Sequence, residues 1–147
     1  MRDDIQHLAR ELLKHYQRKL TFLKKIHTSE IDKRYYLKTG SFDELEELIS
    51  NDFISIEKIN SIDVDIMSIK ARICDIAGIE NNAFERIFLN YSNEIVERIN
   101  SVMIEIRNIL FLIQTERDIL IKEMEIQRNS LKTDIRSLSF YGKLKKD

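Results

Sequence analysis

Three glycines, Gly40, Gly78 and Gly142, are the only strong helix breakers in a chain of 147 residues that contains no proline. A fold built from many strands and turns needs more punctuation than this. The uninterrupted stretches between the glycines are long enough for helices of ten turns or so. The sequence therefore predicts an all-α protein: an antiparallel bundle of long helices with coiled-coil-like packing, forming a single domain over 1–147 with helices at about 3–38, 42–77 and 83–138.

Each predicted helix carries an apolar stripe at helical spacing. In the first, Ile5, Leu8, Leu12, Tyr16, Leu20 and Leu23 share one face. Gly40 suits the left-handed residue after its end. Ser41 with Glu44 three residues on has the pattern of a capping box for the second helix. So short a connection turns the chain back on itself.

The second helix has a regular seam. Ile59, Ile62, Ile66, Ile69, Ile73 and Ile76 alternate steps of three and four. With Ile59, Ile66 and Ile73 as a positions and the others as d, the flanking sites hold Lys58, Asp63, Asp65, Lys70 and Arg72. This is coiled-coil grammar, and isoleucine at both a and d favours three or four packed strands over two. The seam is expected to be core.

The third helix is expected to start behind an Asn82 cap, with Glu85 completing the pattern. Its stripe takes in Phe84, Phe88, Tyr91, Ile95, Ile99, Val102, Ile106, Ile109 and Ile113. After the polar patch "QTERD" (114–118) it resumes with Leu120, Met124, Leu131, Ile135 and Leu138. At a rise of 1.5 Å per residue this helix would be about 80 Å long, against about 55 Å for the others. Packed along helix two, it runs out of partner near residue 118. The apolar remainder then has three fates. It folds back after a break at 114–118 to make a four-helix bundle, it pairs with a second copy in a homodimer, or it receives the amphipathic helix of another protein.

Charge is balanced overall and divided locally. Residues 1–40 carry ten Lys/Arg and five Asp/Glu, and residues 41–80 carry three and ten. The first two helices are thus expected to lie side by side with offsetting fields. Arg10, Lys14, Arg18, Lys19, Lys24 and Lys25 could also serve as a nucleic-acid arm. No aromatic stacking pattern accompanies them, so nucleic acid is not an expected partner.

Catalytic and metal-binding patterns are not apparent. His7, His15 and His27 are spaced too far apart for a tight ligand pair, and "DDIQH" offers only one Asp4-x-x-His7. "DVDIMS" opens like a calcium loop but lacks its glycine and interrupts the seam. Cys74, beside an a position, reads as a small core filler. A single cysteine excludes an intrachain disulfide. The expectation is a non-enzyme without cofactor or metal. The longest fully apolar run, "ILFLI" (109–113), is far short of a membrane span, and the N-terminal stretch shows no secretory h-region. A soluble, cytoplasmic protein is expected.

The layout resembles flagellar export chaperones of the FlgN/FliT type. The resemblance lies in a long first helix, a "SFDELEELISNDFISIEKINSI" region, "SIKARICDIAGI" with its closing glycine, and a long last helix ending in "SLKTDIRSLSFYG". It covers most of the chain, and Tyr141-Gly142 is its most specific piece. It implies a small cytoplasmic helical protein whose C-terminal amphipathic helix holds a flagellar subunit before secretion. The matching partner-binding positions are Leu120, Met124, Leu131, Ile135, Leu138, Phe140 and Tyr141. The basic ending "KLKKD" departs from the pattern. The alternative is a structural coiled-coil protein that self-associates or binds a scaffold through the same helix.

Overall fold

The computed structural model describes the backbone of residues 1–146 and the side chains of residues 1–138. Three long helices dominate: α1 (Asp3–Thr39), α2 (Phe42–Ala77) and, after a short α3 (Phe84–Ile87), α4 (Glu94–Lys146). Among the described residues every regular element is helical, and the architecture is an all-α bundle with a long C-terminal helix.

The first reversal occurs at Gly40, whose φ of 70° lies in the left-handed region. The Ser41 amide donates to the Tyr36 carbonyl at 2.9 Å and closes the end of α1. The expected capping box does not form. Ser41 makes no side-chain cap bond, and its Oγ lies 2.9 Å from Thr39 Oγ1 instead. The hydroxyl is drawn back to the end of α1, away from the amides of α2.

Cross-helix ion pairs show the direction of each helix. Lys19 meets Asp63 and Lys33 meets Asp52, so α1 and α2 run antiparallel. Lys24 meets Glu105 and Arg34 meets Glu116, so α1 and α4 run parallel. The bundle is up-down-up. Lys19 and Lys33 of α1 pair with acids of α2, and Lys24, Arg34 and Lys38 with acids of α4.

The close backbone approaches run from α1 to α2 and from α1 to α4. This corrects the expectation that the last helix packs along helix two. The reason is visible in α1, which buries Ala9, Leu13 and Ile26 as well as Ile5, Leu8, Leu12, Tyr16, Leu20 and Leu23. Its apolar face is wide enough to receive two helices. From α2 the seam of Ile59, Ile62, Ile66, Ile69 and Ile73 is buried, with Ile76 partly so.

The third long helix starts at Glu94 rather than near residue 83. Residues 81–90 instead form a 3₁₀ turn (Asn81–Ala83), α3 and a second 3₁₀ turn (Phe88–Asn90). Phe84 and Phe88 are buried and stacked with centroids 5.0 Å apart. They plug the end of the core where the chain passes from α2 to α4. The working cap is Asn93, whose Oδ1 accepts from the Ile95 amide at 2.8 Å.

Ile66→Asp would place an unpaired carboxylate in this core at a site with 5% exposure. The expected result is a loss of roughly 3 kcal/mol or more of stability, read from a thermal or urea melt. A melt equal to the parent's would place the seam in water.

Candidate protein-binding surface

The apolar core stops short of one end of the bundle. Its last layers are Ile26 of α1, Ile59 of α2 and Ile113 of α4. Next comes a polar layer. Glu30, with 1% exposure, accepts from Lys33 Nζ at 3.0 Å and from Arg117 Nε at 3.2 Å. Lys33 Nζ also pairs with Asp52. One charge cluster thus joins α1, α2 and α4. Breaking a buried ion pair orphans its partner, so such a layer fixes register more reliably than it adds stability.

A second set of pairs holds α4 to the last turns of α1. Arg34 donates to Glu116 at 2.9 Å and to Glu123 at 3.2 Å, and Lys38 lies 3.6 Å from Glu123. The hydrogen bonds to Glu116 and then Glu123 raise the Arg34 pKa, so the guanidinium stays charged. The patch 114–118 is therefore not where α4 loses its partner. Two of its members, Glu116 and Arg117, are the polar contacts to α1, and α4 continues through it as unbroken helix. No fold-back forms.

Above the polar layer the walls are apolar and open. Ile49, Phe53 and Ile56 of α2 face Leu120 and Ile121 of α4 across a groove of about 280 Å3, floored by Glu30, Lys33, Asp52 and Arg117. Phe53 is 63% exposed and Ile121 53%. A second cleft, of about 500 Å3, lies at the other end of the bundle between Ile5, Ile76, Phe88 and Tyr91.

Past Glu123 no ion pair among the described residues ties α4 to the bundle. The remaining 23 residues of the helix, 124–146, extend about 35 Å. Leu120 is half-buried at the groove. Met124, Leu131, Ile135 and Leu138 are 51%, 62%, 61% and 71% exposed. Phe140 and Tyr141 lie outside the described residues, because side chains are described only to residue 138. The series Ile99, Ile106, Ile109, Ile113, Leu120, Met124, Leu131, Ile135, Leu138 advances only by threes, fours and sevens. The exposed stripe is thus the core face of α4 continued beyond the core.

The α2 wall of the groove was not singled out in the sequence. Its signal is present in "NDFISIEKI", where Phe53, Ile54 and Ile56 supply more apolar residues than a single seam needs. Asn93 was missed in the same way, although it stands directly before an apolar-periodic run.

Among the described residues no group of three or more His, Cys, Asp or Glu side chains could hold a metal ion. No helix there is long and apolar enough to cross a membrane. Cys74 is buried with its Sγ 4.0 Å from the Glu80 carbonyl. Burial, with a smaller contribution from Asp75, pushes its thiol pKa up. No family model, curated protein or solved structure matches the chain.

Two outcomes are expected. Lys33→Met leaves Asp52 without its cation, and urea unfolding should show a loss of roughly 3–5 kcal/mol. Combining it with Glu30→Leu and Asp52→Leu should restore stability to within about 1 kcal/mol of the parent or exceed it. An unchanged midpoint for Lys33→Met alone would show that the layer is fully hydrated. Separately, the Cys74 thiol should resist alkylation at neutral pH and react fully in guanidinium, because both access and thiolate fraction are restored on unfolding. Rapid native labelling would contradict its burial.

Proposed function

We propose that this chain is a non-enzymatic binding protein that holds an amphipathic helical segment of another protein. The carrying observation is the exposed stripe Met124, Leu131, Ile135 and Leu138, broken only at Arg128, which leads into the groove of Ile49, Phe53, Ile56, Leu120 and Ile121. A client helix laid along it would bury apolar side chains on α4 and end between α4 and α2, the helix-in-groove mode of recognition. Met124 adds a side chain that repacks around different partners. Arg117, with 43% side-chain exposure at the groove floor, offers a cation to an acidic client residue.

Within that class, the reading supported by the family resemblance is a cytoplasmic export chaperone of the flagellar type, with a secreted flagellar subunit as client. Its support is the helix layout and the "SLKTDIRSLSFYG" ending. The exposed stripe follows in part from a separate feature, the length of α4.

The experiment is photo-crosslinking in the native host, with a photoreactive residue at Leu131 or, as a control, at Val64 on the exposed side of α2. A client captured from Leu131 and not from Val64, and lost in Leu131→Glu with Ile135→Glu, is the expected result. Equal capture from both positions would place the binding surface elsewhere. Truncation after Glu123 should leave a cooperatively folding helical body, since the ion pairs of Glu116, Arg117 and Glu123 are retained. A molten truncation product would make 124–146 part of the fold.

A further inference from the structure

We infer that the free end of α4 pairs with the same segment of a second copy of this chain, antiparallel, over residues 121–138. The inference rests on the binding surface proposed above and names an occupant for it.

The register is written in the segment. With Ile121, Arg128 and Ile135 at a and Met124, Leu131 and Leu138 at d, the seam runs for six layers, five of them apolar. The apolar five are all half or more exposed. In an antiparallel pair each a faces a d of the partner. Centred between Asn129 and Ser130, the match is complete. Ile121 meets the second copy's Leu138, Met124 meets its Ile135, and Arg128 meets its Leu131. Each layer recurs with the copies exchanged, as an interface with a two-fold axis requires.

Charge decides the direction. In the antiparallel register the e positions face each other, which sets Glu125 against Lys132 of the other copy, twice. Arg128 lies one turn from Glu125 on its own helix, so its long side chain can leave the seam and share that carboxylate. In a parallel register Arg128 would face Arg128 inside the seam, and the flanking pairs would set Gln127 against Lys132. Among the described residues no ion pair within the chain engages Glu125, Arg128, Lys132 or Asp134. Their charges are free to act between copies.

The pairing also fills the groove. Ile121 is both the last layer and a groove wall beside Ile49, Phe53 and Ile56. The other copy's Leu138 arrives at its mouth, and that helix continues to Lys146. Each groove is incomplete without the second copy. The seam and its flanks bury roughly 1,200 Å2 in total, the lower edge of a specific interface. An interface of that size is stable enough to form and small enough for a client helix to displace.

Sedimentation equilibrium of the full chain tests the inference. The expected species is a dimer at micromolar concentration, with Leu131→Glu and Ile135→Glu together giving a monomer of unchanged helicity. Glu125→Lys should weaken the dimer about tenfold or more, and adding Lys132→Glu should restore it, since the swapped pairs face each other only in the antiparallel register. For direction, Glu125→Cys and Lys132→Cys chains, each carrying Cys74→Ala, should crosslink when mixed. An Arg128→Cys chain that crosslinks to itself while the mixture does not would overturn the register. A chain that stays monomeric at high micromolar concentration overturns the second copy as occupant. If that monomer still captures a client through Leu131, the binding surface stands without the dimer. If it captures none, both fail.

Discussion

Everything in this bundle hangs on the two-sided apolar face of α1. Leu12, Leu13 and Tyr16 cannot all be covered by one neighbouring helix, so α2 and α4 are both recruited to α1 and their backbones approach it more closely than they approach each other. The length of α1 then sets the length of the body. Where α1 ends at Thr39, α4 loses its support, and its apolar face continues into solvent. The free end is a consequence of unequal helix lengths on a shared spine, not of any special loop or break.

The polar layer gives that geometry an edge. Glu30, Lys33, Asp52 and Arg117 sit where three helices converge: Lys33 joins Glu30 on α1 to Asp52 of α2, and Arg117 adds α4. A slip of α4 along α1 by one turn would leave Glu30 without Arg117 and Arg34 without Glu116. The layer thus fixes how far α4 projects and separates a dry core below from an open groove above. Apolar walls on a charged floor suit an amphipathic guest better than a continuous apolar slot would, because the guest's polar face need not be stripped of water.

Much of the fold was legible because helical periodicity is a strong signal when nothing interrupts it. The seams of α1 and α2, the reversal at Gly40 and the excess length of the last helix could all be read directly. The sequence misled where two residues could satisfy the same pattern. Ser41 and Glu44 have capping-box spacing, yet the Ser41 hydroxyl finds Thr39. Phe84 and Phe88 continue the period of the last helix, yet they belong to the crossing segment, because periodicity does not record a change of axis. The patch 114–118 looked like the end of packing because polar residues usually face water. The partners of Glu116 and Arg117, half-buried Arg34 and buried Glu30, are set by α1 and lie more than eighty residues away in the chain. The far wall of the groove was hidden for a related reason. Whether Phe53 faces a neighbour or a gap depends on where α4 lies.

The two connections differ greatly in the chain they must organise. Gly40 and Ser41 alone join α1 to α2, whereas α2 and α4 are joined by 16 residues that carry two aromatic side chains into the core. Contacts between neighbours in sequence cost little loop entropy and form early, while those that span most of the chain form late. The α1–α2 hairpin is thus the first unit able to assemble, and during synthesis it must wait for α4 with half of the α1 face uncovered. The last helix to arrive also carries the exposed apolar stripe, so stripe and groove come together only when the body is complete.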